Sequence, residues 1–568
     1  MTKQSIMIVL IILAIFLVAA WILWRDKERR KKWFLMKVRK MWGSVADREY
    51  TEPELVSISH YTRKHQGSRF AIDDITWNDL DMDKIFMVLN TTVSSCGEDV
   101  LYHMLRVPEF DPDTLQKRDE LIEYFRSHQK EREEIQQVVR EVRKFSSMSL
   151  SDYIYVLKDV ERKGDIKYKL MALVNVIAIG LLLINPLAGG ILLFIGIFTN
   201  GLVHMKDSKK IEPYLNCMIC ILRLLRAADG FEKIKNPTIQ SYLDRIKKGR
   251  KTMQNFRRGA WLVASTNSVQ DGLEAFVISY LKILFMVDMI KFYSMLKYVD
   301  GREAEIEDMF AAMGELDALI AIASFREFLP YYCVPELSDS PSESCSQEHI
   351  SFRAENMYHP LIPDPVANSI HIHQGVLVTG SNASGKSTFL KTLALNAILA
   401  QTIHTCTCHA YQSVYLKVMT SMALRDNLEG GESYFIVEIK SLQRILKECE
   451  KKQPVLCIVD EVLRGTNTIE RIAASSQILR SLCKPHVLPL AATHDIELSY
   501  ILEDCYSNYH FEEEIRDHDV VFNYLLKQGR ATTRNAIRLL EIIGYDPEII
   551  KDAQEMAKRF EETGVWKN

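Results

Sequence analysis

Hydrophobic positions divide the chain into three kinds of stretch. The first kind is apolar on every face. Ile6 to Trp24 is nineteen residues without a charge, enough for a helix to cross a hydrocarbon core of about 30 Å. Lys3 precedes it, and Arg25, Lys27, Arg29, Arg30, Lys31 and Lys32 follow. That asymmetry predicts an uncleaved anchor whose C-terminal side faces the cytoplasm. Leu170 to Val203 is interrupted only by Asn175, Asn185-Pro186, Gly189-Gly190 and Asn200. As one helix it would reach about 50 Å, too far for a bilayer. The Asn-Pro and Gly-Gly breakers in its middle predict a hairpin of two short membrane helices, with a shallow re-entrant hairpin as the competing reading. Lys167 and Lys169 on one side, and Lys206, Lys209 and Lys210 on the other, put both flanks in the cytoplasm.

The second kind carries apolar positions on a helical period. Residues 70–165 read as a soluble helical region, with Asp111-Pro112-Asp113 starting one helix and a charged helical run from Leu115 to Lys144. Residues 206–335 form another helical tract. Within it, Ala275 to Phe292 is apolar but carries Lys282 and Asp288, which predicts a packed lever-like helix rather than a further span. Arg245, Lys247, Lys248, Arg250, Lys251, Arg257 and Arg258 form a dense basic cluster. A phosphate backbone, acidic lipid headgroups and plain solvent are all open as its partners. Ser338 to Gln347, rich in Ser, Pro and Glu, reads as a linker.

The third kind is the short, wholly apolar run of a strand buried on both faces. Val376–Val378, Val455–Val459 and Leu488–Ala492 are of this type, and they predict an α/β domain over 351–568. The organisation expected is an anchor over 1–24, a basic juxtamembrane segment over 25–69 and a helical core over 70–165. A membrane hairpin over 166–205, lever helices over 206–335 and a linker over 336–350 lead to the α/β domain.

Composition changes this picture little. At 568 residues the chain holds several domains, and a formal net charge of −3 leaves any nucleic-acid surface to be local. Eleven cysteines without a paired framework suit a reducing compartment. Cys217 and Cys220 lie in a helical apolar pattern, and Cys406, Cys408 and His409 cluster loosely. Core packing is the reading for both groups, rather than metal binding.

Each buried run ends in chemistry. After Val376–Val378 comes Gly380-Ser381-Asn382-Ala383-Ser384-Gly385-Lys386-Ser387-Thr388, a glycine, four residues, then Gly-Lys-Ser. Its two glycines permit a turn whose N–H groups point at phosphate oxygens, and the helix that follows adds its positive end. Lys386 is suited to the β- and γ-phosphates, and Ser387 to magnesium. After Val455–Val459 stand Asp460, which can hold magnesium through water, and Glu461, which can polarise a water. After Leu488–Ala492 stands Thr493-His494-Asp495, where His494 can report the γ-phosphate. Between them, Gly430-Gly431-Glu432-Ser433 leads a helix with Phe435, Ile439, Leu442 and Leu446 on one face. Ser433 at that helix start is a second phosphate grip.

Taken in order, these motifs resemble the ATPase domain of the MutS family, itself related to ABC-type ATPases. The stretches that carry the resemblance are GSNASGKSTFLKT, GGESYFIVEIKSLQRIL, IVDEVLRGTNTIERIAAS and AATHDIEL. Ser384 departs from the family's usual glycine. More loosely, Ile72–Thr76 and Thr91–Gly97 look like the start of the family's helical core, and Met313–Ser324 like its lever. His359-Pro360-Leu361 looks like the start of its ATPase domain, and Leu525–Gly529 with Asn535–Pro547 like its C-terminal helical segment. The fold class expected is therefore a MutS-like α/β phosphate-loop domain, an all-α core and lever domain, and N-terminal transmembrane helices. The resemblance implies ATP and Mg²⁺ as ligands, Lys386, Glu461 and His494 as catalytic residues, and Ser387 and Asp460 as magnesium ligands. It implies a homodimer in which Ser433 reaches the partner's nucleotide, and DNA as a partner. No stretch resembles the family's mismatch-reading domain. The resulting expectation is a multi-pass protein of the cell membrane with its ATPase domain in the cytoplasm. Two rivals are an ABC-type transport ATPase and an ATP-gated membrane scaffold that does not act on DNA.

Overall fold

The computed structural model describes the chain except residues 1–2, 47, 145–164, 258–279, 339–349, 382–383, 423–433, 465, 517–518, 532–535, 564–565 and 567–568. It divides into two compact units. One comprises residues 1–67, 87–103 and 120–328, the other 68–86, 104–119 and 329–568.

The second unit is built on strands that exclude polar side chains. Strands β4 (Gly375–Thr379), β7 (Val455–Asp460) and β8 (Val487–Thr493) are buried at every position. They lie parallel within a six-stranded sheet of order β10-β9-β4-β8-β7-β6, where β6 is Lys417–Ser421, β9 Tyr506–Arg516 and β10 Asp519–Gln528. Only the β9–β10 pair is antiparallel. Strands buried on both faces need covering layers. The helix Lys386–Thr402 packs on β6, β7 and β8, and Leu442 and Ile445 of the helix Tyr434–Glu448 join the core around Val455, Cys457 and Val459. A smaller sheet has the order β1-β5-β2-β3, with β1 Glu336–Ser338, β2 Phe352–Met357, β3 Asn368–Ile372 and β5 Ala410–Val414.

Part of the stretch expected as helical core over 70–165 counts with this unit. Asp79 accepts from the Thr420 hydroxyl at 2.6 Å and the Met422 N–H at 3.0 Å, and Lys391 meets Asp81 at 2.8 Å. Leu525 to Gly529, expected in a C-terminal helical segment, instead ends β10. Leu526, Lys527 and Gln528 pair with Phe511, His510 and Tyr509 of β9, and the helices Ala536–Ile543 and Pro547–Thr563 come only afterwards.

The first unit is helical. The helix Lys3–Met41 carries the first apolar run and the basic residues after it without a break. Leu17, Trp21 and Trp24 are exposed along it. The hairpin forms from the helix Ile166–Ile184 and a 46-residue helix, Pro186–Phe231. Asn185 caps the second arm by accepting the Ala188 N–H at 3.2 Å, and Pro186 occupies its first turn. Residues 166–184 and 186–211 are each long and apolar enough to cross a membrane. They present Leu183 at 89% and Phe194 at 73% exposure, a surface suited to lipid.

The stretch expected as one lever-like helix over 275–292 is broken in its described part. Met286 is left-handed at φ +49°, and the helix Val287–Val299 starts after it. The carbonyl of Leu284 accepts from Asn175 at 2.7 Å and Asn200 at 3.0 Å, and His204 lies 2.8 Å from Asp288. Much of the basic cluster is engaged inside the unit. Arg245 pairs with Asp308 and Glu315, Arg250 with Asp229 and Glu232, and Arg257 with Asp229. Arg258 lies outside the described residues. Cys217 and Cys220 are buried in the long helix, where burial raises both thiols, Cys220 to about 12.

One buried carboxylate organises this unit. Asp317, on the helix Glu303–Phe328, accepts from the Val93 and Ser94 N–H groups and, at 2.5 Å, from the Ser94 hydroxyl. A Cβ at Gly97 would come within 2.3 Å of Asp317 Oδ2, so the approach requires glycine. Burial pushes the Asp317 carboxyl up to about 6 despite these bonds. Because the folded value lies above the unfolded one of about 3.9, its contribution is complete below about pH 4 and is lost as pH rises through about 6. The amount is of order 3 kcal/mol. Denaturant midpoints compared between wild type and Asp317→Asn should therefore show a difference that shifts across pH 4–6.5, whereas a constant offset contradicts the assignment.

Candidate functional site

Strand β4 delivers the glycine loop to the end of the sheet. Gly380 has φ +146° and Gly385 φ +105°. A Cβ at Gly380 would lie 2.9 Å from the Phe511 carbonyl, so the first turn of the loop needs glycine twice over, for its angle and for its space. Lys386 opens the helix Lys386–Thr402 and turns back into the loop. Its ammonium donates to the carbonyls of Gly380 at 2.8 Å and Ser381 at 2.7 Å. Burial lowers its pKa, while Asp460 and Glu461 pull the other way. Ser384, where glycine was expected, turns its side chain inward and is wholly buried. Asn382, Ala383 and Ser433 lie outside the described residues.

Strand β7 brings its acidic end beside the loop. The Ser387 hydroxyl donates to Asp460 Oδ2 at 2.5 Å. The other carboxylate oxygen of Asp460, Oδ1, is buried and makes no hydrogen bond. Glu461 then leaves the strand in a left-handed conformation, φ +58°, with its N–H on the Ala492 carbonyl of β8 at 2.9 Å. This turn aims its side chain at the end of β8, where His494 Nε2 lies 2.7 Å from Glu461 Oε1. The second oxygen of Glu461 is held by Arg464. Burial alone would raise this carboxyl, but His494, Arg464 and Lys386 together hold it below the usual glutamate range. The structure thus brings Gly380, Ser381, Gly385, Lys386, Ser387, Asp460, Glu461 and His494 into one place, and Thr388 lines the adjoining cavity.

That cavity has a volume of about 550 Å³. Beyond the loop it is walled by His359, Ile362, Pro365 and Tyr524. Asn368 fixes the Tyr524 wall by donating to the Tyr524 carbonyl at 3.0 Å and accepting the Leu526 N–H at 2.8 Å. The anchor spans the irregular register between Phe522 and Leu526 in β10. Burial, followed by Lys391, lowers the His359 pKa to about 4, so this wall is uncharged at neutral pH.

Sequence reasoning passed over Arg464, Asn368, Tyr524 and Glu438. Arg464 looks like any exposed basic residue in a loop, and Tyr524 and Asn368 meet only through the fold. Glu438 left a signal. The buried face of the helix Tyr434–Glu448 runs through Glu438, Ser441, Leu442 and Ile445, whereas Ile439, expected on that face, is 40% exposed. A glutamate on an apolar stripe asks for a partner, and here Glu438 accepts the N–H of Leu463, itself left-handed at φ +59°.

Fold and loop together define an α/β domain in which a glycine loop follows β4 and an acidic pair ends β7, two parallel strands with β8 between them. Residues 376–561 match the family model of MutS domain V. That match marks these residues as similar to the MutS family and supports membership in it. It is 29% identical over 290 residues to the DNA mismatch repair protein MSH3 of Meyerozyma guilliermondii, 47% of this chain and 29% of that protein. It is 31% identical over 185 residues to the DNA mismatch repair protein MutS of Thermus thermophilus, 32% of this chain and 23% of that protein. Against MutS of Methanosarcina barkeri the identity is 27% over 281 residues, 48% of this chain and 31% of that protein. The chain thus spans less than a third of the length of these relatives.

Two left-handed residues other than glycine in one short turn carry a cost of about 1–3 kcal/mol each, and the Glu438 carboxylate is a bond that holds the turn. Glu438→Ala leaves the Leu463 N–H without its acceptor and should destabilise the protein by about 1–3 kcal/mol. Glu438→Gln keeps an acceptor oxygen and should cost less than half as much. Urea midpoints of the two variants check this, and equal losses would remove Glu438 from its holding role.

Proposed function

We propose that this chain is a membrane-anchored ATPase of the MutS type, which binds and hydrolyses ATP to switch a dimer and acts on DNA. The observation that carries the reading is the pairing at the loop, where Ser387 is bound to Asp460 and Asp460 Oδ1 is buried without a partner. A buried anionic oxygen of this kind is costly unless a cation meets it. Ser387 and Asp460 are hard oxygen donors suited to magnesium, which when bound supplies charge neutralisation at the phosphates.

The chain's own residues do the rest. Lys386 exchanges the carbonyls of Gly380 and Ser381 for β- and γ-phosphate oxygens, and the loop N–H groups from Gly380 to Thr388 receive the phosphates. Gly385 admits them without a side chain in the way. Glu461 orients the attacking water once Arg464 releases its second oxygen, and His494 holds the first oxygen while facing the γ-phosphate. The cavity walled by His359, Ile362, Pro365 and Tyr524 takes the base of the nucleotide. Ser433 of a second copy closes the far side of the γ-phosphate, which excludes water from the site.

Dimerisation and DNA binding rest on the family and on relatives named as DNA mismatch repair proteins. Membrane anchoring rests on the exposed apolar hairpin and on the N-terminal helix with its basic flank. One observation favours a second reading, an ATP-gated membrane scaffold that does not act on DNA. Arg245, Arg250 and Arg257, within the densest basic cluster after the N-terminal one, are already engaged by carboxylates.

Two measurements on the full chain in detergent test these readings. The first compares variants. Glu461→Gln should bind ATP as wild type does and turn it over at least a hundredfold more slowly, while Lys386→Ala should weaken binding itself. Equal loss of binding in both contradicts the assigned roles. The second follows ATP turnover with and without duplex, mismatched and branched DNA. Stimulation supports the DNA reading, and an unchanged rate with all three, together with no DNA retained on the protein, leaves the scaffold.

A further inference from the structure

We propose that Cys333 and Cys408 form a thiol pair built for reversible oxidation, in which Cys333 takes a hydroperoxide and Cys408 resolves it to a disulfide. The pair lies just before strands β1 and β5 of the smaller sheet of the second unit. Cys333 and Cys406 exchange backbone hydrogen bonds at 3.0 and 2.9 Å in an antiparallel bridge. Beyond the bridge, β1 and β5 continue side by side, with Glu336 opposite Gln412. Two backbones held this way fix the side chains between them, and the Cys333 and Cys408 sulfurs face each other at 3.3 Å. A disulfide needs about 2.05 Å, a closure of roughly 1.2 Å that side-chain rotation can supply.

Access and protonation divide the roles. Cys406 and Cys408 are buried, whereas Cys333 is partly exposed. The thiols of Cys406 and Cys408 bond to Cys333 and, with His409 nearby, lower it to about 4. Cys406 and Cys408 are pushed up in turn. The open member of the pair is thus the one in which the thiolate, the form that reacts, is favoured, and in the closed member the protonated thiol is favoured. Another close pair shows the contrast. Cys449 and Cys457 stand 3.2 Å apart, but both are wholly buried in the core of the large sheet, where no peroxide reaches them. Metal binding is not the better account, because among the described residues no group of three or more ligating side chains could hold an ion.

The chemistry closes without further reactants. The Cys333 thiolate attacks the outer oxygen of the hydroperoxide, forming an S–O bond and breaking the O–O bond, and the alkoxide leaves as an alcohol after taking a proton. Cys408 then attacks the sulfenic sulfur. An S–S bond forms, the S–O bond breaks, and water leaves with the Cys408 proton. Two thiols lose two electrons and the peroxide gains them. The modified segment is linked to the nucleotide cavity. Between Cys406 and Cys408, Thr407 donates to Asn396 of the helix that begins at Lys386, and to the carbonyl of Tyr358, next to His359 of the cavity wall.

The test uses the full chain, fully reduced, in detergent. It is treated with equimolar hydrogen peroxide, quenched with an alkylating reagent, digested and weighed. The expected product joins the Cys333 and Cys408 peptides with the loss of two hydrogens, is reversed by dithiothreitol, and leaves Cys449 and Cys457 alkylated after denaturation. Cys408→Ser should stop the reaction at a Cys333 sulfenic acid that dimedone traps, and Cys333→Ser should leave Cys408 reduced. Should either variant fail to fold, the wild-type mass still decides. A reduced Cys333 after treatment overturns the proposal, and so does a link from Cys333 to Cys406 instead of Cys408. Neither result touches the ATPase reading, which stands on other residues.

Discussion

Charge held at the end of an apolar sheet is the constraint on which the α/β unit depends. Strand β7 is buried along its whole length and still ends in two carboxylates, Asp460 and Glu461, with the Lys386 ammonium close by. In so dry a setting each charge must be met by a partner, or folding would cost several kcal/mol. The partners come from three directions. Ser387 arrives on the loop helix, His494 at the end of β8 and Arg464 from the turn after β7. Strand order and loop geometry can therefore be read as the means of bringing these groups to one point. The two left-handed residues after Asp460 follow from the same need, since an ordinary exit from β7 would not turn Glu461 toward β8.

What could be read in the sequence was what depended on one segment at a time. Continuous apolar runs identified β4, β7 and β8, because a strand buried on both faces has no polar position to hide the pattern. The glycine loop and the residues at those strand ends followed. The β9–β10 pair did not, since Tyr506 to Arg516 mixes aromatic with acidic positions, and Leu525 sits where a helical reading also fits. Ile439 and Glu438 show the limit within one helix. Both lie within helical reach of Leu442, and hydrophobicity picked the isoleucine, although the glutamate is the buried one. Its burial depends on the Leu463 N–H in a turn twenty-five residues away.

The same logic applies in the helical unit. Asn175 and Asn200 interrupt the apolar hairpin, and in sequence they read only as polar positions in a long apolar run. In the fold they do not break their helices. Their amides meet the Leu284 carbonyl, just before the left-handed Met286 interrupts the chain. A carbonyl freed by a broken helix has no water to turn to in an apolar setting, so a neighbouring side chain must satisfy it. Gly196 belongs to the same arrangement, because a Cβ there would collide with Asn175. Polar residues in this run are thus determined by the backbone of another segment, and hydropathy along one segment cannot show that.

The described state of Glu461 indicates how little separates rest from action at this site. Both of its oxygens are engaged, one by His494 and one by Arg464. The two partners are unequal. The Arg464 side chain is 45% exposed, and an ion pair in contact with solvent is worth at most about 1 kcal/mol after screening. Release of Arg464 would therefore be a small step, one that an anion offered to the guanidinium could supply. His494 is less exposed than Arg464, so its contact with Glu461 is the less screened of the two. Lys386 follows the same pattern, since carbonyl oxygens of its own loop are weaker partners than phosphate oxygens.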